Sequence, residues 1–139
     1  MSLLSDLIEL PPGLSASTKF TSLNGILYMS AGALLLTWPS AVQTLLLDPE
    51  FVGREAELMR ILGLTVAIIG WFYFFGGRSG GRQVVAATVL DRIVLVPLVL
   101  VPIAMTGVFP HMFLLFAILD PLLGLVAWYL LTQDKRKCK

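Results

Sequence analysis

The sequence predicts an all-α integral membrane protein, a four-helix bundle with both termini in the cytosol. Of its 139 residues, 57% are apolar and 14% charged, against roughly 25% charged in a typical soluble domain. The mean hydropathy is +0.86. Four stretches reach the length of a spanning helix, about 20 mostly apolar residues. A soluble domain of this size exposes too much surface to hide that apolar content. Residues 1–139 therefore read as a single membrane domain. A soluble enzyme and a disordered tail are excluded, and ten Lys/Arg against nine Asp/Glu leave no basic field for nucleic acid.

The elements follow in chain order. Leu3, Leu4, Leu7 and Ile8 recur at helical spacing beside Ser5, Asp6 and Glu9. This predicts a short interfacial helix over 3–10, closed by Pro11-Pro12-Gly13, and no secretory signal, since no basic run precedes it. The first span covers about 20–38 and stops at Pro39. Ala41 to Leu47 is either an interfacial helix or a continuation of that span, and Trp38-Pro39 as a boundary favours the first. The second span covers about 58–75 and gives way to a flexible Gly76-Gly77-Arg78-Ser79-Gly80-Gly81-Arg82 loop. The third covers about 84–106 and the fourth about 112–131. Only the turn Gly107 to Pro110 separates these two, so they are antiparallel neighbours. Gly63 and Gly70 lie on one face of the second span, a close-packing stripe.

Orientation follows from the short-loop cations. One side holds Lys19, Arg78, Arg82, Lys135, Arg136, Lys137 and Lys139; the other holds Arg54 and Arg60. Both termini are therefore expected in the cytosol. Trp38, Trp71, Tyr73, Trp128 and Tyr129 read as interface anchors. The tail is a cytosolic anchor, with Cys138 open to palmitoylation. Lys135 and Lys137 also match a dilysine retrieval signal, which favours the endoplasmic reticulum membrane. The single cysteine forms no disulfide within the chain.

The unusual feature is charge inside the spans. Asp91 and Arg92 lie near the middle of the third span and Asp120 near the middle of the fourth. Each costs about 2.5–3.5 kcal/mol on insertion scales, so each must be paired, wetted, protonated or functional. Counted from a turn centred at 108, Arg92 and Asp120 are offset by about 6 Å along the axis. An Arg side chain reaches that far, which predicts an Arg92–Asp120 ion pair. Asp91 points about 100° away and looks for Asn24, Tyr28, Ser30 or Thr65 on the first two spans. Pro97, Pro102 and Pro121 each free a backbone carbonyl and are expected to kink the spans near these charges. Interrupted helices beside midplane ionisable groups are where membrane sites form. Asp91, Arg92, Asp120, Asn24 and Tyr28 are thus the candidate ligand-binding residues. The competing reading is a salt-bridge cluster that fixes helix register and nothing more.

Other groups carry less. His111 has no second His or Cys near it, so no metal site is expected. Glu57 and Arg60 form an i, i+3 pair. No Ser/His/Asp or Cys/His set and no cofactor motif is present.

Arg60-Ile-Leu-Gly63, an apolar span with Gly70 and Tyr73, a Gly/Arg loop and two further spans with Asp120 in the last resemble the small four-helix membrane proteins of the DoxX-like type. The likeness covers about residues 20–132 and carries no shared catalytic residues. Size, span number and cytosolic termini are also similar to the sterol-isomerase and sigma-2-receptor family, whose midplane acids bind amines or sterols. The chain lacks the His/Glu catalytic set of that family, so the likeness extends to architecture alone.

The function expected is binding or conduction of a lipid, a small amphipathic ligand or protons at the midplane polar site, without catalysis. The first alternative is an assembly subunit, oligomeric or bound to a membrane partner through the Gly63/Gly70 face. The second is an intramembrane isomerase using Asp91 and Asp120 as acid and base.

Overall fold

The computed structural model describes residues 8, 9 and 11–137. The expected interfacial helix at 3–10 lies outside the described residues, apart from Ile8 and Glu9, and so do Cys138 and Lys139. All regular secondary structure among the described residues is helical, with no strand among them. They form α1 (Ala16–Thr37), α2 (Pro39–Leu46), α3 (Glu55–Arg78), α4 (Arg82–Leu90), a π-helical segment Asp91–Leu95, α5 (Val96–Met105) and α6 (Pro110–Lys137). Four helical stretches are long and apolar enough to cross a membrane: α1, α3, the continuous run Arg82–Met105, and α6.

Many large apolar side chains face outward, while several polar ones are turned inward between the helices. Leu23, Leu58, Phe72, Leu98 and Ile118 are exposed, whereas Ser17, Thr21, Asn24, Thr88, Arg92 and Asp120 are buried. That inversion suits a lipid solvent, where every polar group must find its partner inside the protein.

Packing begins with α1 against α3, the most extensive contact in the fold. The two helices run antiparallel and touch backbone to backbone through glycines spaced by seven. A Cβ on Gly25 would lie 2.3 Å from Phe74 N, one on Gly70 2.5 Å from Met29 N, and one on Gly32 2.4 Å from Ala67 N. A Cβ on Gly63 would meet Leu36 N at 2.5 Å, and one on Gly77 would meet Ser22 Oγ at 2.4 Å. The Gly63/Gly70 face does not meet a partner protein, because α1 occupies it. The 76–82 stretch is not a long loop either: α3 runs on to Arg78, since Gly77 belongs to the same glycine seam. Without a hydrophobic drive between helices in lipid, close approach of this kind is what holds them together.

Trp38, with φ −141° and ψ 64°, breaks the chain between α1 and α2, and Pro39 takes the first position of α2. α2 is thus a separate helix and does not continue the first span.

Carboxylates tie the two ends of the bundle. At one end Asp134, near the end of α6, accepts from Ser17 N of α1 at 3.0 Å, and Ser15 caps the same helix by accepting from Thr18 N. At the other end the buried Asp48 carboxylate accepts from His111 N and Met112 N, each at 2.9 Å. Those are N–H groups of the first turn of α6, whose preceding residue Phe109 has no side chain able to cap. Leu47 and Phe109 flank this contact, and both adopt positive φ, 56° and 41°. Beneath it Leu35, Met59, Phe109 and Met112 form a buried apolar cluster. The expected Glu57–Arg60 pair does not form. The one ion pair among the described residues joins His111 Nδ1 to Asp48 Oδ1 at 3.4 Å.

Candidate functional site

The third span supplies the centre of the site. Pro97 cannot donate to the carbonyl four residues back, and its ring crowds that carbonyl. The chain answers by widening one turn: Asp91–Leu95 is π-helical, and Val96 N donates to Asp91 O. Such π-turns inside helices are frequent at functional sites. Pro102 and Pro121 lie inside α5 and α6, which run on through them.

Arg92 is fully buried on that widened turn. Its Cζ lies 4.5 Å from the centroid of the Tyr73 ring and 5.1 Å from that of Tyr28. The two rings meet edge to face with centroids 5.4 Å apart. Each tyrosine then carries its hydroxyl to an acid. Tyr73 donates to Asp91 Oδ2 at 2.9 Å, and Tyr28 donates to Asp120 Oδ1. The result is one buried chain across four spans, Asp120–Tyr28–Arg92–Tyr73–Asp91.

The expected Arg92–Asp120 ion pair is absent. The axial offset explains why. A Cβ on Gly124 would sit 3.2 Å from Arg92 Cβ, so Arg92 is level with Gly124, one helical turn from Asp120. Its side chain does not span that turn; it lies against the two rings. Cation–π contact is worth about 2 kcal/mol or more per desolvated face. Two faces therefore offset an insertion cost of about 2.5–3.5 kcal/mol. Asp91 is likewise corrected: its partner is Tyr73 on α3, and none of the Asn24, Tyr28, Ser30 or Thr65 side chains. Thr65 instead donates to Ile61 O of its own helix. Tyr73, read from sequence as an interface anchor, is a buried member of the site.

A cavity of about 290 Å³ lies between the four spans, with Tyr28, Asp91 and Asp120 as its polar wall. Leu62, Val66, Val99, Leu100, Phe113 and Phe116 make up much of the rest. The five candidate residues thus divide. Tyr28, Asp91 and Asp120 face the cavity, while Arg92 and Asn24 do not line it. Asn24 is buried one turn from Tyr28, and among the described residues its Nδ2 has no acceptor; neither do the guanidinium nitrogens of Arg92. The cavity is partly open and bounded almost throughout by apolar side chains, and Tyr28, Asp91 and Asp120 only border it at one end, with the cation screened behind aromatic rings. His111 stands apart from it, against Leu47 O and Asp48, and no group of three or more His, Cys, Asp or Glu side chains able to hold a metal occurs among the described residues.

Fold and site define a class: an all-helical protein with four apolar helices fit to cross a membrane and a charged network buried among them. No protein-family model, curated protein or solved structure matches the chain.

Proposed function

We propose that the protein is an integral membrane protein that binds one amphipathic molecule inside its bundle. The carrying observation is the cavity of about 290 Å³ whose apolar walls end at Asp91 and Asp120. The ligand fitting this chemistry has an apolar body and an amine or hydroxyl end that donates to the carboxyl groups. A small lipid or a sterol-like molecule meets both conditions. The cation of the site lies behind Tyr28 and Tyr73, which disfavours a ligand that enters by an anionic end. The architectural likeness to the sterol-isomerase and sigma-2-receptor family, whose midplane acids bind amines or sterols, points the same way. Both termini are assigned to the cytosol in this proposal, from the bias of Lys and Arg to the end where α1 begins and α6 ends. The Lys135/Lys137 pattern adds an endoplasmic reticulum location to this proposal.

The test is native mass spectrometry of gently purified protein, wild type beside Asp120→Asn. A co-purifying small mass that the folded Asp120→Asn variant loses supports the reading. A wild-type protein that carries no ligand, or a variant that retains it fully, overturns the assignment.

A further inference from the structure

We propose that the groove between α1 and α3, at the end of the bundle where α1 begins and α6 ends, is a binding site for one anionic phospholipid. It involves none of the residues of the central cavity and stands or falls separately from it.

The glycine seam creates the groove. Gly77 rests on Ser22 and on the Thr18 carbonyl, which draws the last turn of α3 onto the first turns of α1. Lys19 follows Thr18 and Arg78 follows Gly77, so two cations stand on either side of the seam. They line a shallow, open groove of about 300 Å³ whose wall holds no carboxylate. Arg78 is held in place there. Its guanidinium lies 5.1 Å over the Phe74 ring, and its Nη2 donates to Ile8 O at 3.3 Å. Its Nε is buried without an acceptor among the described residues.

The other half of the groove is apolar. Leu23 and Ile26 lie one and two turns along α1 from Lys19, on the same face, and both are exposed. They extend the groove by about 10 Å toward the midplane. Two cations at the end of the spans above an outward-facing apolar track match a phosphate headgroup with the start of its acyl chain. A zwitterionic phospholipid offers the same phosphate but brings its own ammonium, which offsets the attraction to the two cations, and a free phosphate leaves the track bare. Basic pockets between spans on the cytosolic side are where anionic headgroups are held.

The experiment uses the full chain reconstituted in nanodiscs of equal phosphatidylcholine and phosphatidylglycerol. Native mass spectrometry after release counts the lipids retained. The expected result is enrichment of phosphatidylglycerol on the wild type. Enrichment falls about fivefold for each cation removed in Lys19→Gln and Lys19→Gln/Arg78→Gln. It is unchanged in Arg136→Gln, a cation at the same end but outside the groove. Equal retention of the two lipids by the wild type overturns the proposal. So does an equal loss in Arg136→Gln, which assigns the effect to diffuse charge. Lys19 is exposed, so its single variant decides the matter if the double variant does not fold.

Discussion

Tyr73 holds two consecutive residues of the third span, with its ring against Arg92 and its hydroxyl on Asp91. The two contacts are separable by substitution. Tyr73→Phe keeps the ring and loses only the hydrogen bond, a cost of about 1.5–3 kcal/mol for a bond to a charged group. Tyr73→Leu removes the aromatic face as well and leaves a buried guanidinium with half its compensation, which raises the loss to about 3–5 kcal/mol. Thermal unfolding in detergent should therefore rank wild type above Tyr73→Phe and Tyr73→Phe well above Tyr73→Leu. If Phe and Leu unfold together, the ring carries nothing and the cation–π account is wrong.

What the sequence revealed of this site, and what it hid, have physical reasons. Asp91, Arg92 and Asp120 stand out because charge in an apolar span is costly wherever the helix packs. Their partners do not stand out. An ion pair is the strongest Coulombic match on paper, yet an arginine also stacks on aromatic faces, and only the helix rotation decides between the two. The place of Tyr73 is hidden for a related reason. A span ending at Phe75 puts it at an interface, whereas α3 continues to Arg78. Glycine makes the end of the span ambiguous, since the same residue serves flexible loops and backbone-close packing. The seven-residue spacing of Gly63, Gly70 and Gly77, matched by Gly25 and Gly32, is the signal that separates the two uses. The Asp48 cap on α6 bridges 63 residues and has no local signature at all.

The glycine seam predicts a contrast within one helix. A methyl group on Gly70 meets the Met29 backbone N at 2.5 Å, while one on Gly76 meets only a methyl of Val84 at 2.7 Å. Backbone cannot yield without moving α1, but a side chain can change rotamer. Gly70→Ala should cost at least the upper end of the usual overpacking range, about 3 kcal/mol, and Gly76→Ala about 1 kcal/mol. Chemical crosslinking between cysteines placed on the outer edges of α1 and α3 reads the separation directly. Unchanged crosslinking in Gly70→Ala would refute the seam.

The cavity predicts a change that separates ligand from fold. Val66 lies on its wall, one turn from Leu62, and a larger apolar residue there fills empty space. Val66→Phe should lower retention of the co-purifying ligand at least tenfold while thermal stability holds or rises, because filling a void regains packing contacts. Native mass spectrometry and an unfolding curve on the same sample decide it. Full retention of the ligand would place the binding site elsewhere.

Asp48 predicts a stability loss far from the site. Its two oxygens each accept from a backbone N–H of α6 at 2.9 Å. Asp48→Ala removes both bonds and leaves the first turn of α6 uncapped, a cost of about 1–2 kcal/mol. Asp48→Asn keeps one carbonyl oxygen and should lose about half as much. The neighbouring Leu47 gives the opposite sign. It sits at φ 56°, a left-handed conformation that costs a side chain about 1–2 kcal/mol, and it is 80% exposed. Leu47→Gly removes that cost with little packing to lose, offset in part by the greater freedom of glycine when unfolded. The unfolding midpoint of Leu47→Gly should equal or exceed that of the wild type, and that of Asp48→Ala should fall below it. A drop for Leu47→Gly as large as that for Asp48→Ala would mean that the Leu47 side chain, exposed as it is, supports the cap more than its backbone strain opposes it.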